Sequence, residues 1–146
     1  MATSRAVSVG AFVLMVVGLL GLYRINALFS RSPAVIAAQI VAFLLMVWAR
    51  LAFGSRSFHA SADPTSGGLV TSGPYRFIRH PIYTAANLFT WAAVVAHPSP
   101  MSVLFGACVL SGAIVRMLLE ERLIAATYPE YRQYAATTKR MVPYLF

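Results

Sequence analysis

Between Gly68 and Tyr83 the chain reads G-L-V-T-S-G-P-Y-R-F-I-R-H-P-I-Y, setting Arg76, Arg79, His80, Tyr75 and Tyr83 among turn residues. Guanidinium and protonated imidazole groups are donors suited to an anionic ligand group. Proline fixes its own φ and pushes the residue before it out of the helical region, so Gly73-Pro74 and His80-Pro81 give this stretch a shaped backbone. Downstream, three of the four acidic side chains, Glu120, Glu121 and Glu130, fall within eleven residues of one another. A carboxylate there can face a cationic ligand, and a subset of Tyr75, Tyr83, Tyr128, Tyr131 and Tyr134 can stack on a nucleoside or face a sulfonium.

Each of these groups also has a plainer role. Glu120 is four residues after Arg116 and can pair with it on one helix face for about 0.2 to 0.5 kcal/mol. Arg76, Arg79 and Arg140 can anchor a cytoplasmic membrane edge, and the tyrosines read most simply as an interfacial aromatic belt. A lone His80 is ordinarily a structural histidine. With no second His, Cys or acid at ligand spacing, a metal site is not expected. The single cysteine, Cys108, lies in an apolar run and reads as a small core residue.

The elements that must hold these side chains are dictated by composition. At 146 residues, 59% hydrophobic and 11% charged, the chain has the length of one domain and the character of a membrane protein. Apolar runs over 6–23, 34–53, 82–96 and 101–119 predict four transmembrane helices, the third short and starting at Pro81. The first reads as a span rather than a signal peptide, because its apolar run is long and Gly21-Leu22-Tyr23 is a poor cleavage site. Ser55 to Ser66 reads as flexible loop, with order returning from Leu69. From Arg116 an amphipathic pattern predicts a helix leaving the membrane, interrupted or restarted at Pro129. The tail after Arg140 is apolar and aromatic and can re-enter the interface.

The expectation is therefore an all-α polytopic membrane bundle with four transmembrane helices and a cytoplasmic C-terminal amphipathic helix. Its parts are two N-terminal spans (1–53), a loop (54–81), a helical hairpin (82–119) and a C-terminal segment (120–146). Gly18 and Gly21 in the first span, and Gly106 and Gly112 in the fourth, permit close helix contacts. Four spans put ten of the twelve Lys and Arg on the side holding both termini and the 54–80 connection, with Arg24 and Arg31 opposite. That bias predicts cytoplasmic termini in an inner membrane and explains the +8 net charge without nucleic acid. It also brings the 68–83 stretch to the same face as the segment from Arg116 onward.

Taken in order, G-P-Y-R-F-I-R-H-P-I-Y, an apolar hairpin, Glu120-Glu121, and Y-P-E-Y-R-Q-Y followed by Arg140 and Pro143 resemble one group of enzymes. They are the integral-membrane methyltransferases of the isoprenylcysteine carboxyl methyltransferase and phospholipid methyltransferase families. The resemblance covers residues 68 to 143. It implies binding of S-adenosylmethionine on the cytoplasmic side and a small lipophilic methyl acceptor, with membrane lipids as surroundings. By position, His80, Pro81, Tyr83 and Glu121 would line the cofactor pocket with Arg79 and Tyr75. Arg140, toward the acceptor end, and Glu120 would be the catalytic candidates. Ala85 stands where the family usually has glycine. A phospholipid or amine N-methyltransferase remains open. So does a relative of the membrane sterol reductases, which resemble the group around R-H-P-x-Y and use NADPH. The non-enzymatic alternative is a protein whose basic loop binds anionic lipid headgroups.

Overall fold

The computed structural model describes residues 2–54 and 68–142. The loop expected over Ser55 to Ser66 and the tail from Pro143 lie outside the described residues. Within them are five α-helices: α1 (Ala2–Arg24), α2 (Pro33–Phe53), α3 (Pro81–Ala96), α4 (Pro100–Thr127) and α5 (Tyr131–Thr137). A 3-10 turn occupies Gly73–Arg76. One isolated parallel bridge pairs Ile78 with Lys139.

Proline sets three of the helix starts. Pro33, Pro81 and Pro100 each occupy the first turn of a helix, where a missing N–H costs no hydrogen bond. At α4 a reciprocal capping box between Ser99 and Ser102 completes the start. At α3 the N-cap is His80, whose side chain makes no capping bond and is left for other contacts. Pro129 ends α4, holding Tyr128 extended, and α5 restarts two residues later. The amphipathic stretch from Arg116 is therefore the continuation of α4 rather than a separate helix. At 28 residues α4 is about 42 Å long and outruns a ~30 Å hydrocarbon layer. Its apolar run ends at Leu119, so Glu120 and Glu121 fall in the overhanging turns.

The helices pack side by side in the order α1, α4, α3, α2. Glycine permits the α1–α4 approach: a Cβ at Gly18 would lie 2.6 Å from the Phe105 carbonyl oxygen, and one at Gly112 2.5 Å from that of Ala11. These pairings run α1 antiparallel to α4. Met15, Val109, Ala113 and Met117 join Tyr83 and Met141 in a core toward one end, while Leu22, Ala27 and Val94 form a second core toward the other. The outward faces are apolar, with Leu20, Phe43, Leu44 and Leu51 exposed. α1, α2 and α4 are long and apolar enough to cross a membrane, whereas α3 is a shorter apolar helix. One end of the bundle carries the start of α1, the 3-10 turn, the start of α3, the end of α4, and α5. At the opposite end the connections 25–32 and 97–99 meet, where His97 Nε2 lies 2.9 Å from the Phe29 carbonyl oxygen.

Candidate active site

Residues 78–80 and 138–141 run together and build the floor of the site. Arg79 N–H donates to the Lys139 carbonyl at 2.8 Å and His80 N–H to that of Arg140 at 2.9 Å. The Thr84 hydroxyl donates to the Met141 carbonyl at 2.7 Å. The chain after α5 is thereby strapped across the start of α3. Arg79 reaches further, donating through one terminal nitrogen to the carbonyls of Ala135 and Thr138 at the end of α5. Tyr134 fixes α5 from the other side, its hydroxyl donating to the Tyr75 carbonyl at 2.6 Å.

Glu121 sits at the centre. Its Oε1 accepts from Arg79 Nε at 3.0 Å and lies 3.2 Å from His80 Nε2, while Oε2 accepts from Arg140 Nε at 3.0 Å. Burial alone would raise its pKa. The bonds from His80, Arg79 and Arg140 outweigh that and bring it from 4.5 down to about 2. Glu120 turns toward the bundle interior. Its Oε1 accepts from the Tyr83 hydroxyl at 2.5 Å and lies 3.4 Å from Arg116 Nη2. Oε2 is 3.8 Å from His80 Nδ1, so the imidazole lies between the two carboxylates. Arg116 also donates from Nε to the Tyr83 hydroxyl at 2.8 Å. Three guanidinium groups thus meet two carboxylates, leaving the cluster cationic before His80 is counted.

The structure gathers Arg79, His80, Tyr83, Glu120, Glu121 and Arg140 into this one network, and buries Pro81 beneath it. Tyr75 stands apart. Among the described residues its hydroxyl bonds to neither glutamate, and its ring packs on Phe53 at 5.6 Å. Burial and then the Glu120 charge push its pKa up. Arg76 points away, exposed and stacked on Phe77. The interfacial-belt reading of the tyrosines is corrected by Tyr75, Tyr83 and Tyr131, all buried because they pack between elements instead of facing a headgroup layer. Burial raises the pKa of Tyr131, and that of Tyr134 to about 12 despite the neighbouring Arg79 charge. Glu130 is exposed as the N-cap residue of α5 and takes no part.

Arg116 does more than its spacing to Glu120 predicts. Its pairing with Glu120 is present, but it is 5% exposed and reaches Tyr83 and α1 as well. An arginine at the end of an apolar span is itself a functional signal, since holding such a charge there is expensive. The backbone of 138–141 and Thr84 carried no comparable signal.

A bundle of lipid-type helices with a buried acid–base cluster at one end is the architecture of a membrane protein with a candidate reaction centre. A sequence-family profile described as phospholipid methyltransferase matches residues 34–131, and the chain belongs to that family. The cobalt-zinc-cadmium resistance protein CzcN of Cupriavidus metallidurans is similar, at 33% identity over 81 residues. That match covers 53% of this chain and 36% of the relative, so the chain spans about a third of that protein's length. No solved structure matches. Among the described residues, no three His, Cys, Asp or Glu side chains gather closely enough to hold a metal ion.

Proposed function

We propose that the chain is an S-adenosylmethionine-dependent methyltransferase acting on a small lipophilic acceptor. In this reading four helices span the membrane, both termini are cytoplasmic, and the cluster faces the cytoplasmic edge of an inner membrane. The observation that carries it is the convergence of His80, Arg79 and Tyr83 from α3 and its approach with Glu120 and Glu121 from α4.

The donor set fits S-adenosylmethionine, which carries a carboxylate, an ammonium and a sulfonium. Arg79 and Arg140 offer guanidinium groups to a carboxylate, while Glu120 and the aromatic faces of Tyr83 and His80 suit a cationic centre. When bound, the cofactor would supply the methyl group. The chain's own residues would hold reactants in line and keep water out, which is where the rate gain of a displacement resides. Arg79 would exchange part of its contact with Glu121 for the cofactor carboxylate. Glu120 would balance positive charge, and Arg140, with a 37% exposed side chain, would meet the acceptor.

For the acceptor, carboxyl methylation in the manner of the isoprenylcysteine enzymes needs no base. The phospholipid methyltransferase family match favours a second reading, an amine-bearing phospholipid, for which Glu120 would accept the proton. Transfer of a labelled methyl group to phosphatidylethanolamine or to an isoprenylated thiol-acid separates the two.

The first experiment is calorimetry of the purified chain in detergent with S-adenosylmethionine and S-adenosylhomocysteine. Binding is expected, and either His80→Ala or Glu121→Ala should abolish it. Unaltered affinity in both variants would remove the site. A wild-type chain that ignores both nucleosides yet associates with anionic lipid in a salt-sensitive way would identify a lipid-binding protein instead.

A further inference from the structure

We infer that Arg116 is a positioning residue of the candidate site, and that through it α1 becomes part of that site; the inference rests on the S-adenosylmethionine reading above. An i,i+4 ion pair on a helix needs one nitrogen, but the three nitrogens of this buried guanidinium go to three different elements. Nε donates to the Tyr83 hydroxyl on α3 at 2.8 Å, Nη2 lies 3.4 Å from Glu120 Oε1, and Nη1 donates to the Ser8 carbonyl on α1 at 3.3 Å. The guanidinium carbon also stands 5.4 Å from the centre of the Phe12 ring on α1. Both α1 residues precede the part of the chain that the family profile matches.

The consequence is directional. Arginine has no acceptor, so the Tyr83 oxygen accepts from Nε and its own proton is free to point only elsewhere. It points at Glu120 Oε1, 2.5 Å away. Oε1 is then occupied by Tyr83 and Arg116 together. Among the described residues Oε2 has His80 Nδ1 beside it at 3.8 Å, too long for a hydrogen bond. Arg116 thereby selects which oxygen of a 22% exposed carboxylate is presented to a ligand's cationic centre. Lysine could supply the charge but not the fork, since its single ammonium cannot meet Tyr83, Ser8 and Glu120 in their present positions.

A double-mutant cycle tests this on the full chain in detergent, reading S-adenosylmethionine affinity by calorimetry and the unfolding midpoint in parallel. Arg116→Met is expected to weaken binding about tenfold, and Tyr83→Phe by less. Because the phenol is oriented by the guanidinium, the double variant should bind within about twofold of Arg116→Met alone. Losses that multiply would show independent, merely structural roles and overturn the inference. Should Arg116→Met fail to fold, Arg116→Lys is the second variant, expected to fold and to bind weakly. Wild-type affinity in Arg116→Lys would equally overturn it. A wild-type chain that binds no S-adenosylmethionine removes the functional reading and this inference with it, whereas wild-type binding with a multiplicative cycle removes the inference alone.

Discussion

Glu121 meets two guanidinium groups and the His80 imidazole with two oxygens, and its carboxyl group is consequently held ionised down to about pH 2. The sign of the linkage follows. A carboxylate whose folded pKa lies below its ordinary 4.5 contributes stability that is present above 4.5 and disappears as pH falls toward about 2. Glu121→Gln should therefore lower the unfolding midpoint at neutral pH, where it leaves Arg79 and Arg140 poorly compensated. The gap from wild type should close as the solution is acidified through that window. A gap independent of pH would mean that the charge of Glu121 does not stabilise the fold. This charge was legible in the sequence as one of two adjacent acids, but its partners were not. Arg79 lies forty-two positions away and Arg140 nineteen, and spacing along a chain says nothing about contacts made across a bundle.

Helix placement was the more readable part, because an apolar run of membrane length leaves few other structures open to it. The starts at Pro33, Pro81 and Pro100 and the break at Pro129 follow from what proline does to its own φ and to the residue before it. The strap of 138–141 over 78–80 was invisible, since it is built from backbone groups that any sequence possesses. Small residues between α1 and α4 sit between these cases: Gly18 and Gly112 were visible as permitting contact, and the structure places backbone there. Gly112→Ala puts a methyl group 2.5 Å from a carbonyl oxygen that cannot swing aside, and should cost about 1 to 3 kcal/mol through forced separation of the helices. Gly10→Ala is the matched control on α1, with nothing within 4 Å of the added carbon, and should be neutral or stabilising by up to ~1 kcal/mol. Unfolding midpoints in detergent read both. Equal effects of the two substitutions would argue against close α1–α4 packing.

For the molecule as a whole, charge sidedness and site assembly are two expressions of one topology. Alternating antiparallel helices bring the start of α1, the 3-10 turn, the end of α4, and α5 to the end of the bundle that holds the cluster. Arg24 and Arg31 lie at the other end, so the lysine and arginine excess and the candidate active site share a side. Under the positive-inside rule that shared side is the cytoplasmic one, so the proposed function expects the cluster where a soluble nucleoside cofactor is available. Labelling of single cysteines with a membrane-impermeant maleimide tests this directly. In a Cys108→Ser background, Ser32→Cys marks the far end, while Ser72→Cys and Gln133→Cys mark the end with the cluster; all three positions are exposed. Ser32→Cys should react in intact cells, and the other two only after the membrane is opened. If Ser32→Cys and Gln133→Cys react from one side, the count of crossings between them is even, and a four-span arrangement fails. If all three react as expected but in mirror image, the bundle stands and the cluster faces away from the cytoplasm. Cofactor supply would then rule out methyl transfer from S-adenosylmethionine, however well the residues fit it.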